Sequence, residues 1–356
     1  MDKSLLEHQF TQPLLAWFDQ FGRKDLPWQH PRSAYRVWIS EIMLQQTQVK
    51  TVIPYFLRFI ERFPTVADLA MAAEDEVMAL WAGLGYYSRA RNLYRCAQII
   101  ALEFSGEFPQ TLETLMALPG LGQSTSAAIL SQAFNLPEAI LDGNVKRVLA
   151  RYFMLSGWPE QSAGKKQFWH HANLCMPSYR CADYTQAIMD LGATCCTTKN
   201  PNCSGCPLSA SCKAYLNDQV KNFPEKKPKK SLPTKLEQFL LLHNTKGQIY
   251  LEKRPAHGIW GGLWCLPVID ENVDPASYLQ DHYFIDCQQI EPLLEIKHSF
   301  SHYHLKIQAL AVATGTIANF ASEKQGGWYK GEELGQLGLA KPVSDILKHF
   351  FEGKPR

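Results

Sequence analysis

Apolar positions recur at helical spacing through the first two-thirds of the chain and with a two-residue period in much of the last third. Leu6, Phe10, Leu14, Trp17, Phe18 and Phe21 share one face of a helix that Gly22 closes. A turn at Pro27-Trp28 precedes a second helical stretch, Val37-Trp-Ile-Ser-Glu-Ile-Met-Leu44, which has little polar face. Between Thr51 and Gly106 the pattern predicts three further amphipathic helices. A helix then ends near Leu118, a Pro-Gly-x-Gly turn follows, and another helix starts at about Gln123. Val145, Val148, Leu149 and Tyr152 share a face of the next helix, and Asp142 stands where its N-cap belongs.

From Leu236 the period changes. Phe239-Leu-Leu-Leu-His243 and residues 249–254, joined by a turn around Asn244 to Gly247, read as a β-hairpin. A short helix is expected near residues 276–281, residues 297–312 alternate like one strand, and a final helix starts from Ser344. The expectation is a mostly α N-terminal domain over residues 1–220 and an α+β C-terminal domain over residues 236–356. Residues 221–235 hold six lysines and three prolines, and read as an extended basic linker.

Composition fits that division. A chain of 356 residues with 46% apolar positions can fill two cores, and no apolar run approaches membrane-span length. Met1-Asp-Lys-Ser-Leu-Leu-Glu-His has no apolar segment of a signal peptide, so a cytoplasmic protein is expected. The net charge of +2 is mild for a nucleic-acid binder, and any basic footprint must be local. Ten cysteines in such a chain point to metal binding or core thiols, not to a disulfide framework.

Four stretches carry candidate chemistry. Gly120 and Gly122 allow a tight turn whose backbone N–H groups, at a helix N-terminus, favour an anion. With no Walker lysine nearby, a nucleic-acid phosphate suits that site better than a nucleotide; a plain helix-turn-helix with Asp142 as a mere cap is the rival reading. Glu41 lies among Trp38, Ile39, Ile42, Met43 and Leu44, where an ionised carboxylate is costly and its pKa should rise. The bland alternative is a partly exposed helix glutamate; Gln45-Gln-Thr-Gln48 follows it with neutral hydrogen-bonding groups. In residues 81–91, two glycines, two adjacent tyrosines and two arginines suit a loop laid on a duplex, with Tyr86 as a wedge; a core tyrosine is the rival for Tyr87. Cys196, Cys203, Cys206 and Cys212, spaced C-x6-C-x2-C-x5-C, are dense enough for a zinc or an iron–sulfur site, with Cys195 an extra neighbour. His298, His302 and His304 invite a metal reading that the intervening Phe300 weakens.

Leu118-Pro-Gly-Leu-Gly122 followed by Ile140-Leu-Asp-Gly-Asn-Val-Lys-Arg-Val148 resembles the helix–hairpin–helix and Gly/Pro–Asp motif of the endonuclease III superfamily of DNA glycosylases. The resemblance extends over nearly the whole chain and is to the adenine-removing branch. It implies a glycosylase of base excision repair acting on adenine opposite 8-oxoguanine or guanine in double-stranded DNA, as a monomer. Glu41 then matches the catalytic glutamate, Asp142 the carboxylate that stabilises the cationic sugar, and Asn144 a residue that orients the site. Leu44, Gln46 and Thr47 match DNA contacts around the lesion, Tyr86 the intercalating tyrosine, and Gly120, Gly122, Ser124 and Lys146 lie along the DNA-gripping motif. The cysteine spacing matches the family's 4Fe–4S loop and selects Cys196 over Cys195. Ser124 stands where lyase relatives carry a lysine, which implies a monofunctional enzyme. The last third resembles a Nudix domain without the glutamate box beyond Pro267, so pyrophosphate hydrolysis is not expected. Its Phe300-Ser301-His302 matches a turn that reads 8-oxoguanine.

Overall fold

The computed structural model describes residues 2–225, 231–255, 258–285, 289–300, 302–314 and 326–352. Its contacts sort the chain into two units, Met1–Met71 with Asn92–Lys229, and Ala72–Arg91 with Lys230–Arg356. Ser301 and the lysine-rich centre of the expected linker, residues 226–230, lie outside the described residues.

The first unit is helical because its apolar residues repeat every three to four positions. The opening helical run buries Leu6, Phe10, Leu14 and Phe18, while Phe21 at its end stays exposed. Phe10 packs edge-on against Tyr152, with ring centroids 4.8 Å apart, on the helix Gly143–Phe153. Val145, Val148, Leu149, Phe168, Ala187 and Leu191 complete that core. Residues 49–103 form four helices, Val49–Arg62 and Val66–Met71 in this unit, Glu74–Trp81 in the second, and Ser88–Glu103 divided between them, one more than the periodicity gives. A helix of six residues, Val66–Met71, is too short to register as a separate period.

Two turns set up the chemistry. Leu112–Met116 ends before Leu118, and Gln123–Phe134 starts with Gly122 as its N-cap. Gly120 carries φ +78°, and a Cβ there would come within 2.8 Å of the Asn92 Cβ, so the turn admits only glycine. Asp142 caps Gly143–Phe153 as its position predicts, with Oδ1 accepting the Val145 N–H at 2.8 Å.

The second unit is built on a mixed sheet: β1 (Thr234–Asn244), β2 (Ile249–Lys253), β3 (Trp264–Cys265), β4 (Val268–Asp270), β5 (Ile290–Ser299), β6 (His304–Thr314) and β7 (Gly326–Tyr329). The order is β3-β2-β1-β6-β5, with β4 on β1 and β7 on β2. β1 and β2 form the expected hairpin, yet the longest pairing of β1 is parallel, to β6 from Thr234↔His304 to Asn244↔Thr314. The alternation over residues 297–312 is not one strand. β5 and β6 run antiparallel, and the Phe300 N–H donates to the Tyr303 carbonyl at 2.9 Å to close the turn between them. Alternation fixes which face a side chain takes, but it carries no mark of a reversal in which the period resumes. The final helix is Lys341–Glu352, starting three residues before Ser344. Residues 72–91 pack within this unit: Lys253 pairs with Asp75 at 2.6 Å, Arg91 donates to the Gly261 carbonyl, and the Tyr87 hydroxyl donates to the Leu339 carbonyl at 3.4 Å.

Candidate active site

A cavity of about 890 Å³ in the first unit gathers the predicted catalytic residues and several of the predicted DNA contacts. Glu41 reaches it from the helix Ala34–Leu44, whose Ser33 N-cap accepts the Arg36 N–H at 3.2 Å. Leu44 lines it from the end of that helix, Gln46 and Thr47 from just beyond it, Ser124 from the start of Gln123–Phe134, and Asp142 and Asn144 from the cap and first turn of Gly143–Phe153. Gln46 is exposed with φ +57°, a left-handed backbone that costs roughly 1–3 kcal/mol for a non-glycine residue and recurs at ligand-facing positions.

The two carboxyl groups sit in unlike surroundings. Burial, then the nearby charge of Asp142, push the Glu41 carboxyl up to about 7, against the one N–H donated by Gln132 Nε2 at 3.1 Å. Burial also raises Asp142, but more donors oppose it: the Val145 N–H, the Asn144 side chain at 3.2 Å, and the positive charge of Arg147. Donors to a carboxylate favour its ionised form. Of the pair, Glu41 is the one pushed close to neutrality, while Asp142 has more groups around it that favour the ionised form against burial.

Several members of the site had no signal in the sequence pattern. Arg147 donates to the Asn144 Oδ1 at 2.9 Å, to the Gly192 carbonyl at 2.5 Å and to the Cys196 carbonyl at 2.7 Å. Gly192 lies so close to Asn144 that a Cβ there would meet the Asn144 Cβ at 2.6 Å. Asp190, 1% exposed, takes Arg23 at 2.6 Å and Gln186 Nε2 at 2.8 Å, and both partners line the cavity. The Gln186 Oε1 is buried and has no hydrogen-bond partner among the described residues. Arg147, Gln186 and Asp190 are polar positions on the buried or half-buried faces of helices, which periodicity reads as interruptions.

Ser124 is placed in the cavity, and its Oγ accepts the Leu141 N–H at 3.0 Å, tying the hairpin to the segment before Asp142. Lys146 is not among the cavity residues; it pairs with Glu160 at 2.5 Å, whereas Lys50 does line the cavity. Cys196, Cys203, Cys206 and Cys212 all line one small pocket together with Cys195 and Arg151. Arg151 Nη1 lies 3.3 Å from the Cys196 Sγ and 2.7 Å from the Thr197 carbonyl. Cys195 is buried, and its thiol donates to the Asn202 carbonyl at 3.2 Å. Among the described residues no group of three or more His, Cys, Asp or Glu side chains is arranged to hold a single metal ion.

The second unit holds the remaining predicted residues. Tyr86 is 51% exposed with φ +52°, between Gly85 and the buried Tyr87, and the Arg89 guanidinium lies 5.4 Å from its ring centroid. Phe300 packs against Trp260 and His298, at 5.3 and 4.7 Å between centroids. His302 lines a separate cavity of about 490 Å³ with Lys235, Arg254, Trp260 and Tyr303. His304 Nδ1 hydrogen-bonds the Ser299 Oγ at 2.9 Å, so the three histidines have separate uses. No helix among the described residues is long and apolar enough to cross a membrane.

Residues 39–173 match the HhH-GPD superfamily of base excision DNA repair proteins, and residues 238–349 match the NUDIX domain. The chain is 41% identical to the adenine DNA glycosylase of Buchnera aphidicola subsp. Baizongia pistaciae over 338 residues, 95% of each chain. It is 35% identical to the human adenine DNA glycosylase over 410 aligned positions, covering 97% of this chain and 74% of the relative. Among solved structures, a thermostable thymine-DNA glycosylase aligns with 60% of this chain and 98% of its own, at TM-score 0.55 and 27% identity. A trapped endonuclease III–DNA covalent intermediate shares the fold at TM-score 0.51 and 20% identity, over 61% of this chain and 99% of its own.

Proposed function

The chain belongs to the adenine DNA glycosylases, which act in base excision repair, and we propose that the adenine it removes is the one mispaired with 8-oxoguanine or guanine in duplex DNA. The observation that carries the assignment of roles is a pair of carboxyl groups, Glu41 and Asp142, on one cavity in unequal surroundings.

Breaking an N-glycosidic bond needs a neutral leaving base and a stabilised oxocarbenium-like sugar, and two carboxyls in different environments supply both. Glu41 enters protonated and donates to N7 of adenine, so the base leaves uncharged. The resulting carboxylate then takes a proton from the attacking water, which returns Glu41 to its starting state. Asp142, whose anionic form its N–H donors favour against burial, stabilises the positive sugar electrostatically. Asn144 orients Asp142, and Arg147 in turn holds Asn144. The open Gln186 Oε1 suits the N6 amino group of adenine, a donor that guanine lacks at that position. Ser124 offers a hydroxyl that cannot form a Schiff base, which supports a monofunctional glycosylase.

Cys196, Cys203, Cys206 and Cys212 are assigned to a 4Fe–4S cluster. The sharing of one pocket by all four thiols and the Arg151 N–H toward Cys196 Sγ support an anionic cluster there. When bound, it supplies a rigid crosslink for the loop. Tyr86 is assigned as the wedge, because adenine must leave the stack. Phe300, Ser301 and His302 are assigned to reading the opposite base.

Single-turnover cleavage, developed with alkali, tests the reading on duplexes bearing adenine opposite 8-oxoguanine, guanine or thymine. Release should be fast opposite 8-oxoguanine, slower opposite guanine and negligible opposite thymine, and Glu41→Gln should abolish it while lesion binding remains. About four irons per chain are expected in protein isolated anaerobically. Equal release opposite thymine would refute the specificity, and stoichiometric zinc would refute the cluster.

A further inference from the structure

The Gln123–Phe134 helix that begins at the phosphate-gripping hairpin also holds the catalytic glutamate. Gln132, more than two turns along that helix, is 3% exposed. Its Nε2 lies 3.1 Å from the Glu41 Oε1, the one side-chain hydrogen bond that the described residues give this carboxyl. An amide among apolar residues is costly unless its hydrogen-bonding groups are used, and here one of them is spent on the catalytic group.

From this geometry we propose that Gln132 is a positioning residue for the glycosylase reaction: its N–H fixes the Glu41 Oε1, so that Oε2 is the oxygen that carries the proton into the cavity. Two consequences follow for chemistry. The rotation of the carboxyl is restricted, which keeps the acidic proton aimed at the bound base. The donated N–H also favours the carboxylate, so Gln132 works against burial and Asp142 and holds the Glu41 pKa lower than it would otherwise be. The other charges around Glu41 are accounted for: Asp142 and Arg147 come from the Gly143–Phe153 segment, Lys50 from Val49–Arg62, and Arg23, paired with Asp190, from the segment ahead of the Pro27–Gln29 turn. The Gln123–Phe134 helix itself has no ionisable side chain.

The inference rests on the assignment of Glu41 as general acid, and the test separates the two. Single-turnover adenine release is measured against pH on the full chain for wild type, Gln132→Met, Gln132→Leu and Glu41→Gln. Methionine conserves length and volume without a donor, and leucine is the second donor-free variant should methionine pack poorly. Affinity for an uncleavable lesion duplex and the melting temperature report on folding. Loss of the donor should lower the plateau rate about tenfold and move the alkaline limb up by about half to one pH unit. A lower plateau with the limb unmoved, or a limb moved down as expected if the amide oxygen faced Glu41, would overturn the role. Near-normal release by Glu41→Gln would instead overturn the general-acid assignment itself.

Discussion

Replacing Glu41 with glutamine should stabilise the helical unit at neutral and alkaline pH but not in acid. The folded pKa of Glu41 is raised from 4.5 to about 7, by burial first and by Asp142 second. A raised carboxyl pKa means that the fold prefers the neutral form. Stability is unaffected by this group below pH 4.5, where folded and unfolded chains both hold the proton. It falls as pH rises through the window from 4.5 to 7, and the whole penalty is present above 7. A displacement of about 2.5 units corresponds to roughly 3 kcal/mol at about 1.36 kcal/mol per unit. Water reaches Glu41 through the open cavity, and discounting for that screening leaves about 1–2 kcal/mol. Glutamine has nearly the shape of the protonated acid and no charge to desolvate. At pH 5 the variant and wild type should therefore melt within about a degree of each other. At pH 8.5 the variant should melt about 2–8 °C higher, by the usual conversion for a domain of this size. Calorimetry or circular dichroism of both proteins at the two pH values measures the difference. A constant offset at both pH values, or a variant less stable at pH 8.5, would show that the fold does not resist ionisation of Glu41. The catalytic acid would then have to be explained without a raised pKa.

Ser124→Lys should add an amine to the cavity, and borohydride should trap more covalent DNA complex than with wild type; strong wild-type trapping would implicate Lys50, which lines the cavity, and not Lys146, which is paired with Glu160. Arg147→Met removes donors to Asn144, Gly192 and Cys196. Its expected cost is about 2–4 kcal/mol of stability, with adenine release slowed by tenfold or more, and unchanged melting and rate would remove it from the site. Phe300→Ala should narrow the preference for 8-oxoguanine over guanine opposite adenine while leaving the adenine-release step of the best substrate within about tenfold, as ratios of single-turnover rates would report.

Much of the organisation is written locally along the chain. The helices, the Asp142 cap, the glycine turn and the cysteine spacing all depend on residues within a few positions of one another, which is the range over which periodicity and capping act. Glu41 stood out for the same reason, as one carboxylate in an apolar run. What the tertiary structure decided is which distant groups meet. Glu41 and Asp142 become a pair with different proton affinities only because separate helices bring them to one cavity. Gln132, Asp190 and Arg147 look like flaws in their helices until Glu41, Arg23 and the Gly192 and Cys196 carbonyls reach them from elsewhere in the chain. The same holds in the second unit, where β1 pairs in parallel with β6 and residues 72–91 pack with strands far along the sequence. A hydrophobic pattern specifies which side of an element is buried, but it leaves open what that side is buried against. Burying a polar group without a partner is costly, so the partner, and with it the function, is selected only when the elements pack.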